Sequence, residues 1–208
     1  MAVCSCPKPT AISSISASDC PFDLKQIQKI GFQRSGYTFD SGAGTPTAPS
    51  VLADWTALMS ATDDTKVVFT PLIGGDPIFE AGEAIVQGGG DNSTLNGVED
   101  ITGVNPSKFS ANFKSLTPTQ EKELKKLMCE TSLVMYFVTN ENKIGVKKIT
   151  TAQKEGFNIQ ALFVSDRNNA GYGTKDINKI SFSLPAGWSE DIELITPATG
   201  FNPLVDLV

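Results

Sequence analysis

Histidine is absent from all 208 residues, and its absence removes several mechanisms at once. Without an imidazole there is no Ser-His-Asp or Cys-His pair, no helix of zinc-binding histidines and no side chain that titrates unperturbed near neutral pH. Arginine is nearly as scarce, with only Arg34 and Arg167 in the chain. Bidentate clamping of phosphate is mostly the work of arginine, so tight, sequence-reading contact with nucleic acid is not expected. No apolar run approaches the roughly 18 residues that a membrane span needs, and no contact with a membrane is expected. Met1-Ala2-Val3 leads straight into Cys4-Ser5-Cys6-Pro7 with neither a basic nor an apolar leader region. The expectation is synthesis in a cytoplasm, where Cys4, Cys6, Cys20 and Cys129 stay reduced thiols rather than forming a disulfide framework.

What is present is ordinary globular material: 40% hydrophobic and 19% charged residues, with 18 glycines and 12 prolines promising many turns. The length suits one domain with a proper core. Residues 1–24 read as an N-terminal arm, 25–195 as a single β-rich domain and 196–208 as a C-terminal arm. The formal net charge of −6 does not favour holding nucleic acid. It does suit a wall past which a polyanion slides without sticking.

The stretch from Leu116 to Val138 is the clearest part of the chain. Thr117, Pro118 and Gln120 form a helix start in which the threonine hydroxyl accepts a first-turn amide, Gln120 reaches back, and proline occupies the first helical position. Leu124, Leu127 and Met128 then share one face, with Glu121, Lys122, Glu123, Lys125 and Lys126 left to water. Leu133-Val134-Met135-Tyr136-Phe137-Val138 follows, apolar on both alternating sets, as in a central strand covered on both sides.

Elsewhere the alternation predicts strands over Gln26–Arg34 with Ile30 and Phe32 inward and Lys29, Gly31 and Gln33 outward, over Lys66–Pro71, and more weakly over Asp76–Val86. Pro106–Leu116 places Phe109, Ala111 and Phe113 on one face. Ile144–Ile149 returns from a turn at Asn140–Lys143. Gly156–Ser165 alternates Phe157, Ile159, Ala161 and Phe163, and two further strands carry Ile180, Phe182 and Leu184, then Ile192 and Leu194. A short helix capped by Ser50 turns Val51, Leu52, Trp55, Leu58 and Met59 to the interior. About eight strands and two helices, with few helical crossovers, give a mainly β (α+β) fold: an antiparallel sandwich or barrel with one main packed helix and extended terminal arms. The apolar Phe201, Leu204, Val205, Leu207 and Val208 predict that the last segment docks on its own subunit or on the next.

No residue is nominated as catalytic, cofactor-binding or metal-binding. Three readings stay open for the N-terminal segment: a tail in solvent, an arm ordered against a neighbouring subunit, or a metal site made from Cys4, Cys6 and Cys20. That cysteine pattern lacks paired knuckles and has no histidine to complete it. Gln87–Gly97 (QGGGDNSTLNG) is not followed by the helix a phosphate cradle requires, its Asn92-Ser93-Thr94 sequon matters only on export, and it reads as a long exposed loop carrying intersubunit contacts. Glu99 with Asp100, and Asp63 with Asp64, are adjacent and point apart, so neither makes an acid/base couple. Cys129 reads as a half-buried structural thiol, and Trp55 and Trp188 as core or interface anchors.

The order from Phe109 to Val146, the Gly-rich loop upstream and the ending WSEDIELITPATGFNP (Trp188–Pro203) resemble tail-tube-like virion proteins of tailed bacteriophages, particularly those of Bacteroidota such as the crAss-like group. The resemblance implies no enzyme and no catalytic set. It implies a homo-oligomeric ring or tube of tail or neck type, strands joined across subunits around a lumen, and DNA passing non-specifically. Neighbouring virion proteins would be held through the arms 1–24 and 196–208 and the 87–97 loop. Localisation would be in the virion. An auxiliary or decoration protein of the capsid shares these features. Other classes are a surface adhesin, against which the missing leader counts, and an enzyme with a carboxylate or thiol mechanism.

Overall fold

The computed structural model describes residue 15 and residues 23–90, 93–169 and 171–208. In chain order these form β1 (Ile27–Arg34), β2 (Phe39–Asp40), α1 (Leu52–Ser60), β3 (Val67–Phe69), β4 (Gly75–Glu80), β5 (Ala84–Gln87), β6 (Asp100–Val104) and β7 (Ser107–Lys114). There follow α2 (Pro118–Lys126), β8 (Leu133–Thr139), β9 (Ile144–Lys148), β10 (Gln153–Glu155), β11 (Phe157–Val164), β12 (Ile177–Leu184), β13 (Ile192–Ile195) and α3 (Pro203–Asp206). Eleven of the strands make one antiparallel sheet along the path β2-β10-β9-β8-β11-β12-β7-β4, with β1 joining β8 and carrying β3, and β13 joining β9. Among the described residues β5 and β6 pair only with each other.

β8 is the centre, as its two-sided apolar sequence requires: all seven residues are buried. Leu133, Met135 and Phe137 face one cluster with Phe32, Phe109, Phe113, Phe157, Ile180 and Phe182. Val134, Tyr136 and Val138 face a second cluster with Phe39, Trp55, Val67, Ile144 and Val146. The helix covering this second face is α1, whose Trp55 is fully buried and donates from its indole nitrogen to the Pro49 carbonyl at 2.9 Å. α2 forms with the expected capping box: Gln120 N donates to Thr117 Oγ1 at 3.2 Å and Thr117 N to Gln120 Oε1 at 3.0 Å. Of its residues only Leu124 is buried, alongside the first cluster, and Met128 beyond its end is exposed. The clearest helix in the sequence is therefore not the one that shields the second face of the central strand.

Several local expectations are corrected. The N-cap of α1 is Val51, without a side-chain cap, rather than Ser50. Lys29, Gly31 and Gln33, expected outward on β1, are buried, because the C-terminal segment and the second cluster cover what would otherwise be a wet face. The alternation of β11 breaks at Ala161, where φ is 53° and the register with β12 shifts. That bulge turns Ala161 and Phe163 outward and Val164 inward. Asp76–Val86 is two strands, β4 and β5, and Pro77 fits because β4 lies at a sheet edge with a register shift between Gly75 and Ile78. The very short β2 and β10, and the single-turn α3, carry too little periodicity to be read in advance. The C-terminal segment docks on its own subunit: Phe201 and Leu207 are buried in the second cluster. The mainly β, antiparallel architecture with a packed helix is as expected.

Candidate functional site

The feature that the two clusters leave unexplained is the β5–β6 hairpin. Ala84 pairs with Val104, Ile85 with Gly103, Val86 with Ile101 and Gln87 with Asp100, the register shifting between Ile85 and Val86. At its neck, Asn105 N donates to the Glu83 carbonyl at 2.9 Å. A Cβ on Gly82 would stand 1.7 Å from the Asn105 carbonyl oxygen, so only glycine lets the two strands leave the body this close together. At its far end Gly88, Gly89 and Gly90 take φ of 99°, 90° and 111°, and the amides of Gly89 and Gly90 both donate to the Gly97 carbonyl. Thr94 Oγ1 donates to the Val98 carbonyl. The long exposed loop expected at 87–97 is thus the tip of this hairpin.

Every residue of β5 is exposed, and every residue of β6 but Gly103. Ile85 and Val86 are 46% and 50% exposed, Ile101 and Val104 50% and 46%, and Leu95 at the tip 87%. A lone two-stranded hairpin is marginal in water, and β-branched apolar side chains on it gain nothing from being wet. The hairpin is also one-signed: residues 81–106 carry Glu83, Asp91, Glu99 and Asp100 and no lysine or arginine.

The other candidates resolve into structural roles. Arg34 grips Glu130 with two bonds, Nε to Oε2 at 2.8 Å and Nη2 to Oε1 at 2.9 Å, and pairs with Asp64 through Nη1. These bonds hold the Glu130 carboxyl below its usual range. Arg167 donates to the Leu116 carbonyl at 2.6 Å and pairs with Asp176 and Glu121. Both arginines are therefore engaged by the fold. Asp63 accepts from the amide and hydroxyl of Thr65 while Asp64 turns to Arg34, so the adjacent pair diverges as expected. Cys129 is exposed, correcting the half-buried reading: the turn after α2 leaves it outside. Trp188 packs on Phe79 and Phe157 at the edge of the first cluster. Cys4, Cys6 and Cys20 lie outside the described residues, as does most of the 1–24 arm. Among the described residues no group of three acidic, cysteine or histidine side chains is placed to hold a metal, and no helix is long and apolar enough to cross a membrane.

Sequence reasoning missed Lys29. Its ammonium is buried and donates to the carbonyls of Leu204 at 3.1 Å and Leu207 at 2.5 Å, and burial lowers its pKa. The only available signal was the apolar C-terminal segment, which had to cover something.

No family model matches the chain, and no curated protein does. Among solved structures, a protein in the sixfold-symmetric tail of an empty gene transfer agent particle is similar at TM-score 0.35 and 8% identity, covering 65% of this chain and 89% of that one. A protein of the anti-feeding prophage baseplate is similar at TM-score 0.32 and 11% identity, covering 89% and 98%. An Hcp protein gives TM-score 0.27 and 10% identity over 76% and 89%. A likeness of this degree establishes neither fold nor function.

Proposed function

We propose that the chain is a structural, non-enzymatic virion subunit of a tailed phage, of tail or neck ring or tube type, that homo-oligomerises into a conduit for DNA or cargo. The sequence resemblance described above supports a source among the crAss-like phages of Bacteroidota. The observation that carries the reading is the β5–β6 hairpin, a projection with exposed apolar side chains on both strands and, among the described residues, no covering element. Burial against another chain gives such a surface its physical reason to exist. The acidic balance supports passage of a polyanion without capture.

The test is to replace residues 83–104 by a two-residue turn across the Gly82–Asn105 neck and compare both chains by light scattering and negative-stain imaging. The full chain is expected to form rings or tubes, and the shortened chain to remain monomeric with an unchanged melting temperature. A full chain that stays monomeric alone yet binds preformed capsids would replace the conduit by the auxiliary capsid protein.

A further inference from the structure

We propose that the groove between α2, β3 and the C-terminal turn is the receptor for the β5–β6 hairpin of a second copy. This rests on the self-assembly reading above and names the surface through which it occurs.

The groove has a volume of about 720 Å³. Its walls are apolar, formed by Val68, Leu72, Leu124, Leu127 and Val205, of which Leu72 and Val205 are 55% and 63% exposed. Lys29 also lines it, and two of the three protons of its ammonium are taken by the Leu204 and Leu207 carbonyls. No carboxylate of the described residues pairs with it, and burial lowers its pKa. Glu123, on the α2 wall, is the acidic residue of the lining. A buried cation without a counter-charge at the side of an apolar trough suits an apolar segment that carries a carboxylate.

The hairpin has that chemistry. It presents Val86, Ile101 and Val104 on one face and Ile85 on the other, carries Glu99 and Asp100 at the start of its second strand, and has no cation to be repelled by Lys29. The topology makes the contact intermolecular. Leu72 stands just before the start of β4 and the hairpin neck just after its end, so groove and hairpin are separated along one chain by a six-residue strand of roughly 20 Å. A hairpin from one copy seated in the groove of the next is a head-to-tail contact, which repeats until it closes as a ring or continues as a tube.

Two full-length single variants at exposed positions test this, Leu72→Glu in the groove and Ile101→Glu on the hairpin, with melting temperatures checked against the native chain. Each alone is expected to self-associate at least roughly tenfold more weakly than the native chain. Mixed in equal amounts, they should give a one-to-one complex and nothing larger, because the intact hairpin of the Leu72→Glu chain meets the intact groove of the Ile101→Glu chain. Should the native chain assemble and either variant assemble equally well, the groove pairing is overturned while self-assembly stands. Both variants blocked, with no complex on mixing, also overturns the pairing. A native chain monomeric at every soluble concentration overturns the pairing together with the reading it rests on.

Discussion

Removing residues 197–208 tests whether the chain ends in an arm or in part of the core. An arm that serves only assembly would leave the folded subunit unharmed. Instead, Phe201 and Leu207 are buried in the second cluster, 8% and 0% exposed. Burial of each contributes about 1.5–3 kcal/mol. The Lys29 ammonium loses both of its carbonyl acceptors, and hydrogen bonds to a charged group contribute about 1.5–3 kcal/mol. The expected loss is about 5 kcal/mol or more, against a total stability of about 5–15 kcal/mol for a domain. Urea unfolding of the full chain and of one ending at residue 196 measures it, with Lys29→Met made in both. The substitution should cost less in the shortened chain, where its partners are already gone, by about 1–2 kcal/mol. A shortened chain within about 1 kcal/mol of the full one would refute this account of the C-terminal segment.

Three further outcomes follow from particular contacts. A Cβ on Gly145 would stand 2.1 Å from Cζ of Phe137, whose ring lies over that glycine and stacks on Phe157, so Gly145→Ala should destabilise by about 1–3 kcal/mol and lower the melting temperature by several degrees. Tyr136→Phe strands Gln33 Oε1, which accepts from the phenol at 2.8 Å, and should cost about 1–2 kcal/mol; the loss should shrink when Gln33 is changed to Leu as well. The Glu130 carboxyl is held below its ordinary 4.5 by Arg34, so its contribution is fully present above that value and is lost as pH falls through the lower folded one. Glu130→Gln should therefore lower the urea midpoint at neutral pH and cease to differ from the native chain in strong acid.

The sequence was most legible where local chemistry and tertiary packing agree. Thr117-Pro118-Thr119-Gln120 gives its cap because every atom of that cap lies within four residues. β8 reads as central because both of its alternating sets are apolar, and both clusters then form around it. Where a distant segment decides burial, the reading fails. Lys29 sits in a strand whose alternation leaves it wet, and it is dry only because residues 204–207 return across the whole chain to accept its protons. The bulge at Ala161 is invisible for the same reason, since the phase of β11 after that residue is set by its partner β12. For the candidate site, composition located the loop at 87–97 but not the fact that both strands leading to it stand clear of the body. Ile85, Val86, Ile101 and Val104 look like ordinary strand residues, and only the pairing pattern shows that no second layer of the described residues covers them.

That separation bears directly on assembly. Among the described residues neither cluster includes one from 81–106, and the neck at Gly82 and Asn105 brings the two strands of the projection together. The subunit can therefore fold around β8 without the hairpin, which leaves the hairpin free for the proposed contact with a neighbour. The C-terminal segment cannot be separated in this way, because it supplies buried side chains to the second cluster and acceptors to Lys29. Deleting each segment should then give opposite results: loss of the hairpin abolishes assembly with stability intact, whereas loss of the C-terminal residues lowers stability first. If removing the hairpin instead lowered the unfolding free energy by as much as removing residues 197–208, the projection would belong to the core and the division of labour between folding and assembly would fail.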